Sequence, residues 1–409
     1  MRLANVLRHA LAAALLLAAA ACGDGSSPAA NPYEGKPPQG AAIARTEGTA
    51  IGSTGWTWVP FPDAFCTDPR VAGGDFGSST TGLAISWGDP ASTDLVVFLQ
   101  GGGACWDFVT CGGTQSLGGI GPTASTGPFG ADQFQLDIYD KYPNSWVHRA
   151  NLPPSLARAT IVFVPYCTGD VHGGDAVRTY APPQQLSAYG LAPITWHHVG
   201  HANVMAFLKR LGPTFPSPRK LIVAGSSAGG FGSLANYAAF RWYWPEARSY
   251  LVDDSGPPLV ADDIPPSTRA AWYAGWNLGA SLDAFCTGCR ADMSEGIREL
   301  ARRYPSDRLA LVSHLQDETI RSFFGTFTLT ATTVAFTPMP AETFEAALGR
   351  LRTGVMDPAG ARCFYTNTPT PTAHPSLEDP TQVTTPGSGL APWLELMFSD
   401  ASSWASASD

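Results

Sequence analysis

The sequence predicts an α/β protein with a doubly wound, mostly parallel sheet, and three observations carry that reading. Short, continuous apolar runs recur at Leu95–Leu99, Ile161–Pro165, Leu221–Ala224, Ser249–Val252 and Leu309–Ser313, the pattern of strands buried on both faces. Amphipathic stretches separate several of them. Between Ala202 and Leu211, the residues Val204, Phe207, Leu208 and Leu211 fall at i, i+3, i+4 and i+7, one apolar face for a sheet, and a second helix is expected around Glu295–Tyr304. The third observation is Lys220–Tyr237, which reads as buried strand, sharp turn and small-residue helix.

That turn is Gly225-Ser226-Ser227-Ala228-Gly229, a G-x-S-x-G. A serine on a strained strand-to-helix turn exposes its hydroxyl, and glycines flank it because a Cβ there would strike the neighbouring strand or helix. Only Ser227 holds the central position of the motif, two residues from each glycine, so Ser226 is excluded as the exposed hydroxyl. The helix that follows aims its first N–H groups at negative charge developing beside Ser227. Three successive glycines, Gly101–Gly103, follow the apolar run Leu95–Leu99 after Gln100. They cost chain entropy unless the backbone must approach something closely, and α/β-hydrolases draw a second oxyanion donor from this place.

Composition excludes some functions and fixes a compartment. The 409 residues are 44% hydrophobic and 14% charged, enough for a sizeable core under a lightly charged surface. A net charge of -9 with no basic stripe argues against a nucleic-acid partner. Arg2 and Arg8 precede the apolar run Ala10–Ala21, too short to span a bilayer and laid out as a secretory signal over residues 1–21. It ends at Cys22 in a sequence resembling a bacterial lipobox, so the chain is expected outside the cytoplasm, secreted or lipid-anchored at the bacterial envelope. Membrane contact is expected only through that anchor. Residues 22–55, rich in Gly, Ser, Pro and Ala, read as a flexible tether, 56–400 as one catalytic domain and 401–409 as a flexible tail.

Seven cysteines remain after Cys22. Cys105 with Cys111, and Cys286 with Cys289, are close enough in sequence to be local disulfides; the pairing among Cys66, Cys167 and Cys363 is open, with one thiol left over. No metal or cofactor is expected. Cys286 and Cys289 lack a second pair for zinc, and His197 with His201 lack the glutamate of H-E-x-x-H.

A serine hydroxyl needs a histidine to take its proton and a carboxylate to orient that histidine. In the order Ser, acid, His, only His314 and His374 follow Ser227, and His374 lies last, in a Thr- and Pro-rich loop. Asp317, a few residues past a late strand, is the acid candidate, with Asp253 or Asp254 at the end of the strand after the turn as the alternative. Asp170 and His172 follow another strand, where open α/β sheets collect ligands, and are candidates for the pocket wall.

Together Leu99–Trp106, Val164–His172, His198–Asn203, Gly225–Gly230 and Asp253–Gly256 resemble, in order, the pectin acetylesterase and Notum family. The resemblance implies an α/β-hydrolase-like fold and cleavage of an oxygen ester, acetyl from pectin in plant members and a fatty acyl group from a signalling protein in animal ones. It implies Ser227 as nucleophile, Asp317 as acid and His374 as base. Oxyanion donors would be the N–H groups of Gly102 or Gly103 and of Ala228, with Trp106 in the substrate-binding wall. The expected partner is an acylated polysaccharide such as pectin. The alternatives are a lipid-deacylating esterase and a glycan-binding surface protein without catalysis.

Overall fold

The computed structural model describes residues 33–68, 77–113, 123–329, 334–367, 370 and 373–409; the expected signal segment and Cys22 lie outside them. A ten-stranded sheet organises the described residues. Its strands are β1 (Thr49–Ile51), β2 (Trp56–Asp68), β3 (Gly77–Ser86), β4 (Leu95–Leu99) and β5 (Thr160–Val164). A hairpin of β6 (Ala176–Tyr180) and β7 (Ile194–His198) stands apart from it, and β8 (Lys220–Ser226), β9 (Arg248–Asp254) and β10 (Arg308–His314) continue it. After two further hairpins, β11 (Thr326–Leu329) with β12 (Val334–Thr337) and β14 (Thr384–Thr385) with β15 (Ser388–Gly389), its remaining strands are β13 (Arg362–Thr366) and β16 (Ala407–Ser408).

The spatial order is β1-β2-β3-β5-β4-β8-β9-β10-β13-β16. From β5 to β16 neighbours run parallel, whereas β1, β2 and β3 form an antiparallel edge with a register shift between Phe61 and Phe65. The five expected apolar runs are β4, β5, β8, β9 and β10. Alternation along them divides the core: Leu95, Val97 and Leu99 enter one apolar cluster, Val96 and Phe98 another on the opposite face. Helix Gly200–Thr214 packs Val204, Phe207, Leu208 and Leu211 into the first cluster, as the spacing predicts.

The chain passes from β4 to β5 on one side and later to β8 on the other, so the connections diverge between β4 and β8. In open α/β sheets a crevice opens beyond the carboxyl ends of strands at such a point. Those ends here are Leu99, leading into the triple glycine, and Ser226, leading into Ser227.

Two segments read from composition as loose are laid onto this domain. Gly40 N–H donates to the Lys209 carbonyl and Ile43 N–H to Thr214 Oγ1, both at 2.7 Å, and the Ile43 side chain is buried in the core. At the other end Trp404 is buried and β16 pairs with β13. Small and polar residues hide such docking, because a single apolar anchor suffices.

Both expected local disulfides are present, and Cys66 pairs with Cys167 across 101 residues, leaving Cys363 as a buried thiol. These bonds fit an oxidising compartment, and among the described residues no helix is long and apolar enough to cross a membrane. Because the Cys66–Cys167 bond closes the longest loop, it removes the most chain entropy from the unfolded state. The double variant Cys66→Ala/Cys167→Ala should lose about 2–5 kcal/mol of stability in denaturant titration, well beyond the Cys286→Ala/Cys289→Ala pair.

Candidate active site

Ser227 sits between β8 and helix Ala228–Tyr243 with φ 58° and ψ -120°, a conformation that L side chains rarely adopt. Its N–H donates to the Asp254 carbonyl at 2.7 Å. The flanking glycines have no room for a side chain. A Cβ on Gly225 would lie 2.1 Å from the Gly229 carbonyl oxygen, and one on Gly229 2.0 Å from that of Leu99. The turn is thus wedged against the end of β4.

The triple glycine is equally constrained. A Cβ on Gly101 would meet the Ser226 carbonyl oxygen at 2.6 Å and Ser227 Cβ at 3.0 Å, so the loop lies directly against the turn. Gly102 and Gly103 have φ of 150° and 74°. Among the described residues no acceptor takes the N–H of Gly102, Gly103 or Ala228.

His374 comes to the same place from beyond β13. Its Nδ1 lies 2.6 Å from Asp317 Oδ2, and since a carboxylate oxygen accepts, Nδ1 carries the proton and Nε2 is left to receive another. The Asp317 carboxylate is fully buried and its other oxygen, Oδ1, accepts the Ile320 N–H at 3.0 Å, capping helix Glu318–Phe324. Burial alone would lower the His374 pKa. The hydrogen bond to Asp317 and its charge, with Asp254 and Glu378, outweigh burial and raise it above the ordinary 6.5. Ser227 and His374 line one cavity, with no hydrogen bond between them in this conformation.

Asp253 and Asp254, the alternative acids, do not touch the imidazole. Asp254 is fully buried and accepts Ser226 Oγ at 2.9 Å, Ser255 Oγ at 3.2 Å, and the N–H groups of Ser376 at 3.0 Å and Leu377 at 2.8 Å. It ties the turn to the segment immediately after His374. Burial, and then the Asp254 charge, push Asp253 well above the usual carboxylate range. His314 lies beside the same segment, Nε2 3.3 Å from Ser376 Oγ.

Asp170 and His172 are not in the wall of either cavity at Ser227, contrary to the sequence expectation. The Asp170 carboxylate is occupied by Thr168 Oγ1 at 2.6 Å, Gly200 N–H at 2.7 Å and His172 N–H at 3.1 Å. Burial takes His172 down to about 4, and this neutral ring donates through Nε2 to the Gln100 carbonyl at 2.8 Å. His172 thereby braces Gln100 at the start of the glycine loop, and Asp170 holds the His172 main chain. His197 lies on β7 and His201 in the following helix, where its Nδ1 meets Asn236 Oδ1 at 2.7 Å.

Two spaces of different chemistry meet at Ser227. One is an apolar crevice among Trp106, Phe231, Trp272, Trp276, Ile320 and Phe323, leaving about 60 Å³ for the centres of water-sized atoms. The other is a polar trough of about 560 Å³ past Gly101–Gly103, Ser125, Lys141, His374 and Glu378. Trp106 lines the apolar crevice. Sequence reasoning did not find Trp272 and Trp276, although their i, i+4 spacing in helix Pro266–Trp276 puts both on one face. Their rings stack at 5.8 Å and each meets Trp106 edge-on.

The family model for pectinacetylesterase matches residues 83–294, a span containing the glycine loop, the Ser227 turn and Asp253–Gly256. The chain belongs to the pectinacetylesterase family. Membership makes it a carboxylesterase of a family acting on acetylated polysaccharide. No curated protein matches the chain. The matched span ends before Asp317 and His374, so that pair rests on the geometry above.

The carboxylate makes a specific demand on the imidazole. In an NMR titration His374 should titrate above 6.5, and Asp317→Asn should move it down by about one unit or more. An unchanged midpoint in the variant would mean that another group holds the ring.

Proposed function

We propose that the protein is a serine esterase that removes O-acyl groups, chiefly O-acetyl, from an extracellular polysaccharide. The observation that carries this reading is the Asp317–His374 pair opening onto the cavity that holds the strained Ser227. His374 Nε2 takes the Ser227 proton as Oγ attacks the ester carbonyl, and Asp317 stabilises the resulting imidazolium. The N–H groups of Gly102 or Gly103 and of Ala228 hold the oxyanion. As the ester C–O bond breaks, protonated His374 gives its proton to the sugar oxygen, which leaves as a hydroxyl with the acyl group now on Ser227 Oγ, and water activated by the same imidazole releases the acid. The Ser–His hydrogen bond forms as substrate enters, as such bonds often tighten only in the complex.

The unequal spaces support the choice of acyl group. The apolar crevice is the smaller of the two spaces at Ser227, which supports a small acyl group such as acetyl there. The larger and more polar trough suits a glycan. A longer acyl group is the second reading, favoured by the wholly aromatic and aliphatic lining of the crevice beyond Ser227. Export by the N-terminal segment, with anchoring through Cys22, completes the proposal.

Ser227→Ala and His374→Ala should each lower kcat on an aryl acetate by on the order of 10⁴-fold or more while the fold persists. Wild-type turnover in either variant would refute the assignment. Because the base works only when neutral, kcat/KM should fall as pH drops through a midpoint above 6.5. Aryl acetates should be cleaved with higher kcat/KM than octanoates; the reverse order would favour the longer acyl group.

A further inference from the structure

We propose that Asp254 is a positioning residue for the base, a second carboxylate that fixes where His374 stands relative to Ser227, an inference that rests on the esterase reading. The Asp317 bond alone does not do this. A single contact at Nδ1, 2.6 Å from Asp317 Oδ2, sets the tautomer and one distance, but the ring can pivot about it and swing Nε2 away from the Ser227 hydroxyl. The direction of Nε2 is set by the main chain that carries the ring.

That main chain is pinned just beyond His374. Asp254 Oδ1 accepts the Ser376 N–H at 3.0 Å and the Ser255 hydroxyl at 3.2 Å, and Oδ2 accepts the Leu377 N–H at 2.8 Å and the Ser226 hydroxyl at 2.9 Å. Each oxygen thus takes two donors, which fills the lone-pair positions of a carboxylate and leaves none for a proton. Burial opposes the charge; the N–H groups of Leu377 and Ser376 and the Ser226 hydroxyl favour it. Asp254 is itself held in place. Its carbonyl takes the Ser227 N–H at 2.7 Å. The chain there is wedged against the helix after Ser227: a Cβ on Gly230 would lie 2.6 Å from the Asp254 carbonyl oxygen, and one on Gly256 2.2 Å from the Phe231 nitrogen. One residue at the end of β9 therefore sets both the nucleophile's turn and the base's segment.

The same carboxylate acts on the imidazole through space. The charges that raise His374 are those of Asp317, Asp254 and Glu378. Asp253 on β9 and Glu378 also feel the Asp254 charge, and His314, at the end of β10, lies with Nε2 3.3 Å from Ser376 Oγ. Of these groups Asp254 is the one bonded both to the segment after His374 and to the turn.

The test compares wild type with Asp254→Asn, in which one oxygen becomes an NH2 facing donors already in place, and with Ser226→Ala, which removes only the side-chain bond to the turn. Aryl acetate kinetics, the His374 titration by NMR and a thermal melt are read on each. We expect Asp254→Asn to lose on the order of 10- to 100-fold in kcat with KM within about twofold of wild type. Its His374 midpoint, and with it the acid limb of kcat/KM, should move to lower pH, because losing a negative charge disfavours the imidazolium. Ser226→Ala should lose several-fold in kcat and keep the wild-type midpoint. A folded Asp254→Asn with wild-type kcat and an unmoved midpoint overturns the inference, since the buried Leu377 side chain would then suffice to seat the segment. A loss of kcat that only follows a lowered melting temperature, with the midpoint unmoved, marks a structural role and overturns it too. If Asp254→Asn does not fold, Ser226→Ala at wild-type kcat overturns it. A wild type that cleaves no aryl acetate overturns the esterase reading, and the His374 titration then decides separately whether Asp254 acts on the imidazole.

Discussion

The carboxylate of Asp254 joins the two halves of the candidate site. One half, the turn at Ser227, grows from β8; the other, the segment carrying His374, arrives from beyond β13, and no regular element connects them. Asp254 reaches both, taking the Ser226 hydroxyl on one side and the N–H groups of Ser376 and Leu377 on the other. Hydrogen bonds to a charged acceptor contribute roughly 1.5–3 kcal/mol each, whereas a residue held at positive φ costs about 1–3 kcal/mol. At the turn itself Asp254 acts twice, its carboxylate taking the Ser226 hydroxyl and its carbonyl the Ser227 N–H, which holds the strained conformation from both sides.

Around that joint the sheet supplies position and the loops supply chemistry. The divergence of connections between β4 and β8 opens the crevice, and the glycine loop and the turn touch across it because neither carries a side chain at the contact. His172 supports the start of the glycine loop at Gln100 and is itself held by Asp170. Asp317 is fixed by the helix it caps before it engages His374. Asp254, Asp317 and His172 are thus each held by main-chain groups around them. The site's two faces differ in kind, a narrow apolar crevice and a wide polar cleft, and the asymmetry matches an ester with a small acyl group on a bulky alcohol.

Much of this was legible in the sequence where local constraints are strong. The five apolar runs became the central parallel strands, the G-x-S-x-G became a strained turn, and Gly101–Gly103 became a loop at close approach. His374 followed from chain order and is the histidine bonded to Asp317. What stayed hidden depends on distant residues. The edge strands β1–β3 mix exposed and buried positions without clear alternation, and residues 33–54 look like a tether until Ile43 finds the core. Asp170 and His172 read as pocket residues because strand ends collect ligands, yet their polar atoms are consumed by Thr168, Gly200 and Gln100. The sequence likewise gave no sign that Asp254 serves the base loop, since its partners Ser376 and Leu377 are 122 and 123 residues away.

Covalent labelling tests the central claim most directly. Intact protein treated with a fluorophosphonate and mapped by mass spectrometry should carry the adduct on Ser227, with labelling that slows as His374 becomes protonated. An adduct on another residue, or an unlabelled Ser227 in a preparation that hydrolyses aryl acetate, would contradict the account.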